Sequence, residues 1–363
     1  MNIKKNNVLL LPGDGVGPEI MSEAVKLIDY FNEEKLLNIN YDYADIGSIA
    51  LDNHGTPFPD ITLEKASNSD SILLGAVGTK KHENNERKLK PEYGLLELRQ
   101  KLKFFANLRP VFLFDSLINS STLKPEIINN LDILIVRELI SDVYFGEPRG
   151  FKTINDDTYA FNTMKYLESE IERIANFAFS ISSKRNKKVT SVDKANVLET
   201  SQLWRKTVDK VAQQHKDIEI NHMYIDNAAM QLIKEPKQFD VILTGNLFGD
   251  ILSDEGSMLT GSIGMLPSAS ISIENKGLYE PVHGSAPDIA GQGVVNPIAM
   301  ILSFAMMLEY SFNKQDLSES IRVSINNILN DGILTKDLAG SDNFVSTSQM
   351  GDKILEEIKN HVK

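Results

Sequence analysis

Short runs of aliphatic and β-branched residues alternate with amphipathic helical patterns along most of this chain. Residues 8–11 and 71–74 form two such runs, and helical patterns follow them at 19–31 and 95–105. Further runs lie at 133–138, 188–193, 218–224 and 241–244. Strands that alternate with helices pair mainly in parallel, because each helix carries the chain back across the sheet. The sequence therefore predicts an α/β protein with a substantial parallel or mixed sheet.

Composition and charge narrow the classes of function. With 363 residues, 42% of them hydrophobic and 24% charged, the chain is long enough for two domains. Its formal net charge of -12 disfavours general binding to nucleic acids or anionic membranes, so an anionic ligand needs a local group of arginines and lysines. Because the chain has no cysteine, disulfides, thiolate nucleophiles and sulfur-ligated metals are excluded, and we expect oxygen ligands for any metal.

No segment has the pattern of a signal peptide or a membrane span. The apolar run at 8–11 ends at Pro12, and the apolar segment 297–312 is shorter than the roughly 20 residues that a spanning helix needs. We therefore expect a cytoplasmic protein in which residues 297–312 form a buried helix. No repeat or low-complexity linker is present, so we expect the domains to be interleaved along the chain.

Two acidic residues, Asp250 and Asp254, follow the predicted strand at 241–244. If a helix begins there, residues four apart share a face, and two carboxylates can then bind a hard divalent cation. Asp226, which follows another predicted strand, is a third candidate ligand, and Mg²⁺ or Mn²⁺ prefers such an oxygen-rich site. The alternative is a solvated helix N-terminus, where the macrodipole favours acidic residues.

A glycine-rich turn, Gly13 to Pro18, lies between the first strand and the first helix, where a dinucleotide fingerprint would lie. The glycines are spaced G-x-G-x-G, and Pro18 stands where the last glycine of G-x-G-x-x-G belongs. The turn is suited to lining a ligand, but the spacing argues against a standard Rossmann fold.

Three arginines, Arg99, Arg109 and Arg137, lie in otherwise apolar surroundings. Guanidinium groups there are suited to bidentate capture of carboxylates, and a dicarboxylic acid would use all three. The alternative is internal pairing with residues such as Glu97 and Glu138, because a charge near apolar surroundings needs a partner.

Two further residues are candidates for proton transfer. Lys194, between a strand and a helix, is placed to act as a base, and the alternative is a surface lysine. Tyr144 is ambiguous from the sequence alone, because a packed, hydrogen-bonded tyrosine is the commoner case.

The loop from His283 to Asp288 offers backbone amides for phosphates and one carboxylate for a ribose diol. The alternative is an ordinary turn.

Eight ordered segments between residues 8 and 312 together resemble the β-decarboxylating dehydrogenases, the isocitrate/isopropylmalate dehydrogenase family. These segments are 13–19, 95–109, 137–139, 144–150, 192–198, 225–231, 246–267 and 280–297. The resemblance implies a two-domain α/β fold with a large mixed sheet flanked by helices, which is not a standard Rossmann fold. It implies a first domain from residues 1–104 plus 261–363 on the cofactor side, and a second from 105–260 with the metal ligands and a dimer interface.

The resemblance also assigns roles to residues. It implies that Lys194 is the general base and Tyr144 the acid that protonates the enol carbon. Substrate binding falls to Arg99, Arg109, Arg137, Asp226, Leu95 and Leu96, and binding of Mg²⁺ or Mn²⁺ to Asp226, Asp250 and Asp254. NAD binding falls to Gly78, His283, Gly284, Ser285, Ala286, Asp288, Ile289 and Asn296. Because Lys194 and Asp226 come from the partner subunit in this family, the resemblance implies a homodimer with shared active sites.

Ligand choice follows from three of these residues. A carboxylate at Asp288 accepts hydrogen bonds from a ribose diol and repels a 2′-phosphate, which predicts NAD rather than NADP. Leu95 and Leu96 resemble the residues that receive an isopropyl group, which predicts 3-isopropylmalate, an intermediate of leucine biosynthesis, as the substrate that is oxidised and decarboxylated. Alternatives are isocitrate, homoisocitrate, tartrate or malate as substrate, and a non-catalytic regulatory subunit with the same fold.

The chain departs from the family pattern in two loops. Ser141-Asp142 stands where relatives usually have Gly-Gly, and Thr79-Lys80-Lys81-His82 replaces a more usual Gly-Pro-Lys-Trp. Both loops are expected near the active site, where they would affect the reaction rate and the affinity for the cofactor.

Overall fold

The computed structural model describes residues 4–274, 276–340 and 343–361, so the ends of the expected first domain, 1–3 and 362–363, lie outside the described residues. The strands of the described part are β1 (Asn6–Gly13), β2 (Ile39–Tyr43), β3 (Ser71–Ala76), β4 (Phe104–Phe112), β5 (Asp132–Glu138), β6 (Gly150–Ile154), β7 (Asp157–Phe161), β8 (Lys188–Asp193), β9 (Glu219–Tyr224), β10 (Val241–Thr244), β11 (Pro267–Ser272) and β12 (Gly277–Pro281). The α-helices are α1 (Gly17–Glu33), α2 (Ser48–His54), α3 (Asp60–Asn68), α4 (Pro91–Lys101), α5 (Pro125–Ile128), α6 (Glu168–Ser182), α7 (Glu199–Ala212), α8 (Ile225–Lys234), α9 (Asn246–Leu259), α10 (Ile298–Tyr310), α11 (Gln315–Asn330), α12 (Lys336–Ala339) and α13 (Thr347–His361).

Unit 1 comprises the described residues up to Phe104, Leu113–Thr122, and those from Thr260 onwards. Its strands are ordered β2-β1-β3-β12-β11, parallel except for the antiparallel pair of β11 and β12. Helix α10 lies at its core and contacts β3, β11, β12, α1 and α11. All residues of α10 from Ile298 to Leu308 are buried, which confirms the buried helix predicted at 297–312.

Unit 2 comprises Phe105–Phe112 and Leu123–Leu259. Its strands are ordered β4-β5-β10-β8-β9, with β4 antiparallel to β5 and the remaining pairs parallel. Strands β6 and β7 form a separate antiparallel hairpin. Strand β10 is buried along its whole length, and after Gly245 the chain enters α9 directly.

The predicted α/β fold with a large mixed sheet flanked by helices is confirmed, and the described residues of each unit contain five of its strands. The antiparallel β11 and β12 set this arrangement apart from the all-parallel sheet of a standard Rossmann fold, as predicted. One predicted helical pattern was too long: residues 95–105 belong to α4 only as far as Lys101, and β4 begins at Phe104. Among the described residues, no helix is long and apolar enough to cross a membrane.

Candidate active site

One face of α9 carries a polar stripe in unit 2. Asn246, Asp250, Ser253 and Asp254 recur at helical spacing, so their side chains project from the same side of the helix. This confirms that the two aspartates follow a buried strand on a shared helical face. Their surroundings are not those of a solvated helix end, because two buried arginines reach them.

Arg137, near the end of β5, is the most buried of the candidate arginines, with 2% of its surface exposed. Its Nε and Nη2 donate to Asn246 Oδ1 at 3.0 and 2.7 Å, and its Nη1 forms a very short ion pair with Asp250 Oδ1. The guanidinium carbon also lies 5.5 Å from the ring centroid of Tyr144. Arg137 is thereby held in a fixed orientation, with its charge directed at Asp250.

Arg109, in β4, reaches the same stripe. Its Nη1 donates to Ser253 Oγ at 2.6 Å and lies 3.4 Å from Asp254 Oδ1, while its Nη2 lies 3.5 Å from Asp250 Oδ1. Its Nε donates to Asn107 Oδ1 at 2.8 Å. Two guanidinium groups and two carboxylates balance one another here, and such a group can exchange partners with an anionic substrate and a cation.

Tyr144 completes this group. Its hydroxyl donates to Asp250 Oδ2 at 2.6 Å. Burial, together with the hydrogen bond to Asp250, raises the pKa of Tyr144 to about 12. The phenol is therefore protonated at neutral pH and can donate a proton. Burial also raises the pKa of Asp254, against the opposing effect of Arg109.

Lys194 and Asp226 form a separate pair in unit 2. Lys194 follows β8, Asp226 lies in the first turn of α8, and Lys194 Nζ is 2.7 Å from Asp226 Oδ1. The Lys194 ammonium lowers the pKa of Asp226, whose side chain is 63% exposed. Within residues 4–274, 276–340 and 343–361, no three His, Asp or Glu side chains are close enough to hold a metal ion.

The donor chemistry on α9 nevertheless suits a hard divalent cation. Asp250 and Asp254 are one helical turn apart, and 35% and 61% of their side-chain surfaces are exposed. Both offer carboxylate oxygens, which Mg²⁺ and Mn²⁺ prefer. Two of the three candidate ligands thus lie together, and the third would have to be brought to them.

Arg99 and the two candidate pocket leucines lie on α4 of unit 1. Arg99 is buried, its Nη2 pairs with Glu280 Oε1 at 2.7 Å, and its Nε has no hydrogen-bond partner in the described part of the chain. Leu95 and Leu96 are half-buried, whereas Leu98 on the same helix is fully buried. The two leucines therefore keep surface that a ligand can cover.

The candidate cofactor residues surround two cavities of unit 1 that share Gly284 and Ala286. One, of about 710 Å³, is also lined by Gly78 and Ser285. The other, of about 460 Å³, is lined by residues that include His283, Ile289 and Asn296. The structure thus brings seven of the eight predicted cofactor residues to these two cavities, and Asp288 lies beside them in the same loop.

Two observations in these cavities fit a bound dinucleotide. A Cβ added to Gly284 would have no heavy atom within 4 Å, so a ligand can approach the backbone closely there. The Nε2 of His283 is buried without a hydrogen-bond partner among the described residues, and burial lowers the pKa of this histidine. A buried polar atom of this kind calls for a partner, and a bound nucleotide can supply one.

Asp288 is paired with a residue of one departing loop. Lys80 Nζ lies 2.7 Å from Asp288 Oδ1, and both side chains are more than 70% exposed. An exposed pair of this kind contributes little to stability, so Asp288 remains available to a ribose diol.

Sequence reasoning missed the residues that hold the candidate side chains in place. Asp14 accepts hydrogen bonds from the amides of Ser48, Ile49 and Gly78 at 2.8–3.0 Å and so fixes the cofactor loop at Gly78. Asn246 and Ser253 hold the two arginines of unit 2. Asn246 and Ser253 lie at helical spacing from Asp250 and Asp254, and this spacing is the signal by which the sequence indicates them.

Glu138, next to Arg137, gives a prediction about stability. Its carboxylate is fully buried and accepts hydrogen bonds from the amides of Ile140 and Ser141 at 3.2 and 3.0 Å. Burial raises its pKa from 4.5 to about 8. The folded state therefore binds the Glu138 proton more tightly than the unfolded state does. The protonated carboxyl group contributes fully to the stability of the fold below pH 4.5, and this contribution is lost as pH rises through about 8.

We therefore expect Glu138→Gln to reduce the loss of stability that accompanies rising pH. The melting temperature of the wild type should fall by several degrees between about pH 5 and about pH 9, and that of the variant should fall less. Thermal unfolding across this range measures the difference, and parallel curves would contradict the prediction.

Comparisons with known proteins agree on the family. Residues 7–354 match the family described as isocitrate/isopropylmalate dehydrogenase. The chain is 55% identical over 350 residues to the 3-isopropylmalate dehydrogenase of Hydrogenovibrio crunogenus, covering 96% of this chain and 98% of that one. It is 53% identical over 355 residues to that of Pseudomonas fluorescens, covering 97% and 99%. The solved structure of isocitrate dehydrogenase from Methylococcus capsulatus has a TM-score of 0.88 and 34% identity, covering 98% of this chain and 99% of that one.

Proposed function

Since the chain belongs to the isocitrate/isopropylmalate dehydrogenase family, we propose that it is an NAD-dependent 3-isopropylmalate dehydrogenase of leucine biosynthesis. The reaction is the oxidation and decarboxylation of 3-isopropylmalate to 4-methyl-2-oxopentanoate and CO₂. The observation that carries the proposal is that Arg109, Arg137 and Tyr144 all contact the Asp250 carboxylate in unit 2. We propose in addition that the protein is cytoplasmic.

The arginines bind and orient the substrate. Arg109 and Arg137 are buried and rigidly held, so they can receive carboxylates without losing much side-chain entropy. In unit 1, Arg99 has an Nε still to be satisfied and can contribute a further donor. Fixed guanidinium groups favour a dicarboxylate over neutral compounds, because they form charge-assisted hydrogen bonds with carboxylates.

Two side chains move protons. Lys194, in its uncharged amine form, takes the proton of the substrate hydroxyl and becomes an ammonium, and Asp226, at 2.7 Å, orients its amino group. After loss of CO₂, Tyr144 supplies a proton to the carbon that carried the lost carboxylate, and its raised pKa keeps the phenol protonated until then. When bound, NAD⁺ accepts the hydride and a divalent cation polarises the substrate oxygens. We assign the cation to Asp250 and Asp254, with Asp226 as third ligand.

The substrate side chain and the cofactor follow from unit 1. Covering the half-buried Leu95 and Leu96 with an isopropyl group stabilises binding by about 1.5–3 kcal/mol, whereas a third carboxylate against leucines costs several. This favours isopropylmalate over isocitrate, the substrate named for the Methylococcus capsulatus relative. The Asp288 carboxylate supports NAD, because a 2′-phosphate would be repelled.

A homodimer with shared active sites completes the proposal. Helix α8 exposes Met230 and Ile233, and α9 exposes Ile251 and Met258. On α9 these two apolar residues flank Asp254 at helical spacing, so a second copy that covers them would lie beside the metal ligands. In such a dimer, Lys194 and Asp226 of the partner complete the site.

We expect Ile251→Glu to weaken this dimer by at least about tenfold, because a buried charge opposes association. Light scattering at micromolar concentration would detect a shift toward monomer mass. Ile61→Glu on α3 is the matched control, since Ile61 is 56% exposed and Ile251 53%. Equal masses for both variants would rule out this face as the interface.

The direct test is NADH formation by purified protein with NAD⁺, Mg²⁺ and 3-isopropylmalate, beside isocitrate and malate, with and without EDTA. We expect turnover of isopropylmalate alone, and its loss with EDTA. Preference for another acid would mean that Leu95 and Leu96 do not define the pocket. No turnover of any acid would favour a regulatory subunit.

A further inference from the structure

Asp142 opens the turn that carries Tyr144, and its backbone is left-handed. Its φ is +73°, a conformation that side chains other than Asn and Asp rarely adopt. The residue is also buried, with 1% of its surface exposed. A buried aspartate in this conformation persists only where its contacts stabilise it.

The Asp142 carboxylate makes such contacts through both oxygens. Oδ1 accepts a hydrogen bond from the Val143 amide at 2.6 Å, within its own turn. Oδ2 accepts from the Tyr166 hydroxyl at 3.0 Å and from the Leu247 amide at 3.2 Å. Leu247 is the second residue of α9, so one carboxylate joins the tyrosine turn to the start of the helix that carries Asp250.

Helix α9 needs this acceptor. Its first amides have no partner inside the helix, and the preceding residue, Gly245, has no side chain to cap them. A Cβ on Gly245 would lie 2.9 Å from Tyr166 Oη and 3.4 Å from Asp142 Oδ2, so these two groups occupy the space of a local cap. Tyr166 Oη accepts from the Asn246 amide at 2.8 Å, and Asp142 accepts from the next amide.

We propose that Asp142 is a positioning residue, which caps α9 from the tyrosine turn and thereby fixes Tyr144 relative to the carboxylates of α9. The turn is attached to the helix at two places one helical turn apart, by Asp142 to Leu247 and by Tyr144 to Asp250. Glycine would adopt this φ without strain but would leave the Leu247 amide without its acceptor. Asp142 therefore keeps a strained backbone conformation, and its hydrogen bonds fix the distance between the proton donor, Tyr144, and the proposed metal ligands of α9.

The test compares Asp142→Gly and Asp142→Asn with the wild type, using amide hydrogen exchange without ligands and steady-state kinetics with isopropylmalate. For Asp142→Gly we expect amides in the first turn of α9 to exchange about fivefold faster. We expect kcat to fall about tenfold with KM for isopropylmalate within about twofold, because misplacement of the proton donor affects the chemical step more than binding. Asparagine retains one acceptor oxygen and tolerates this φ, so Asp142→Asn should show smaller changes of the same kind.

Ser141→Ala is the matched control. Its buried hydroxyl has no hydrogen-bond partner in the part of the chain that the structure describes, so exchange and kinetics should stay as in the wild type. Unchanged exchange in α9 and unchanged kcat in Asp142→Gly would overturn the proposal. If Asp142→Gly does not fold, the Asp142→Asn variant decides. Faster exchange confined to the first turn of α9 in that variant supports the proposal, whereas wild-type exchange together with wild-type kcat overturns it.

The kinetic part of this inference rests on the proposed function, but the exchange part does not. A wild type that turns over no isopropylmalate would refute the function. Exchange at α9, which needs no substrate, would still decide whether Asp142 caps the helix.

Discussion

Lys194→Ala is expected to lower kcat for isopropylmalate oxidation by about 10²- to 10⁴-fold, because the hydroxyl proton loses its acceptor. Loss of the partner charge also raises the pKa of Asp226 toward its ordinary value, since the hydrogen bond from Lys194 is the largest cause of its lowering. The fold should remain intact, because Asp226 is largely exposed. Steady-state kinetics with saturating NAD⁺ and Mg²⁺ measure the effect on kcat.

Lys187→Ala is the matched control for this prediction. Lys187 also pairs with an exposed carboxylate in unit 2, at 3.0 Å from Asp217. Its removal should change kcat by less than about twofold, as for most surface substitutions. Wild-type turnover by Lys194→Ala would refute the proposed mechanism.

Arg137→Lys is expected to lower kcat/KM for isopropylmalate at least about 100-fold, because lysine cannot reproduce a planar, multidentate guanidinium. The wild-type group donates through three nitrogens, to Asn246 and Asp250. An ammonium placed there would leave part of this network unsatisfied as well as the substrate carboxylate. Kinetics over a range of isopropylmalate concentrations separate the effects on KM and kcat.

Arg185→Lys controls for the loss of a paired guanidinium elsewhere in unit 2. Arg185 contacts Asp240 at 2.8 Å and Asp132 at 2.9 Å, and its replacement should alter kcat/KM by less than about twofold. Equal kinetic losses for Arg137→Lys and Arg185→Lys would mean that the effect is on folding rather than on substrate binding.

Mixing the Lys194→Ala and Arg137→Lys proteins tests whether the active site is shared. If each site takes Lys194 from the partner, a mixed dimer has one site with both residues intact and one with neither. Random reassociation of equal amounts should therefore restore roughly a quarter of wild-type activity. No recovery after proven subunit exchange would place both residues in a site formed by one chain.

Much of the fold could be predicted because it is encoded locally. The runs at 188–193 and 241–244 coincide with β8 and β10, and α9 presents Asp250 and Asp254 on one face. Whether such a segment forms a strand or a helix is determined by the hydrophobic period and the burial of residues that are close together in the sequence. The end of α4 was misplaced because the apolar pattern continues from the helix into β4 without a break.

The partners of the charged residues could not be predicted in the same way. Arg99 pairs with Glu280, which is 181 positions away, and the alternatives considered were near neighbours in sequence. The role of Asp142 was likewise hidden, because its carboxylate acts on an amide 105 positions along the chain. Spacing identifies residues with the right chemistry, but the topology of the sheet decides which of them meet.

The order in which the chain is synthesised has a consequence for unit 1, which is assembled from both chain ends. Strand β3 leaves the ribosome about 200 residues before β12, its neighbour in the sheet, a delay on the order of 10–40 s at typical rates of synthesis. During that time one edge of β3 stays open to aggregation or to a chaperone, whereas unit 2 is complete once Leu259 has emerged. The ribosome therefore releases a chain whose middle can already be folded and whose two ends still have to meet.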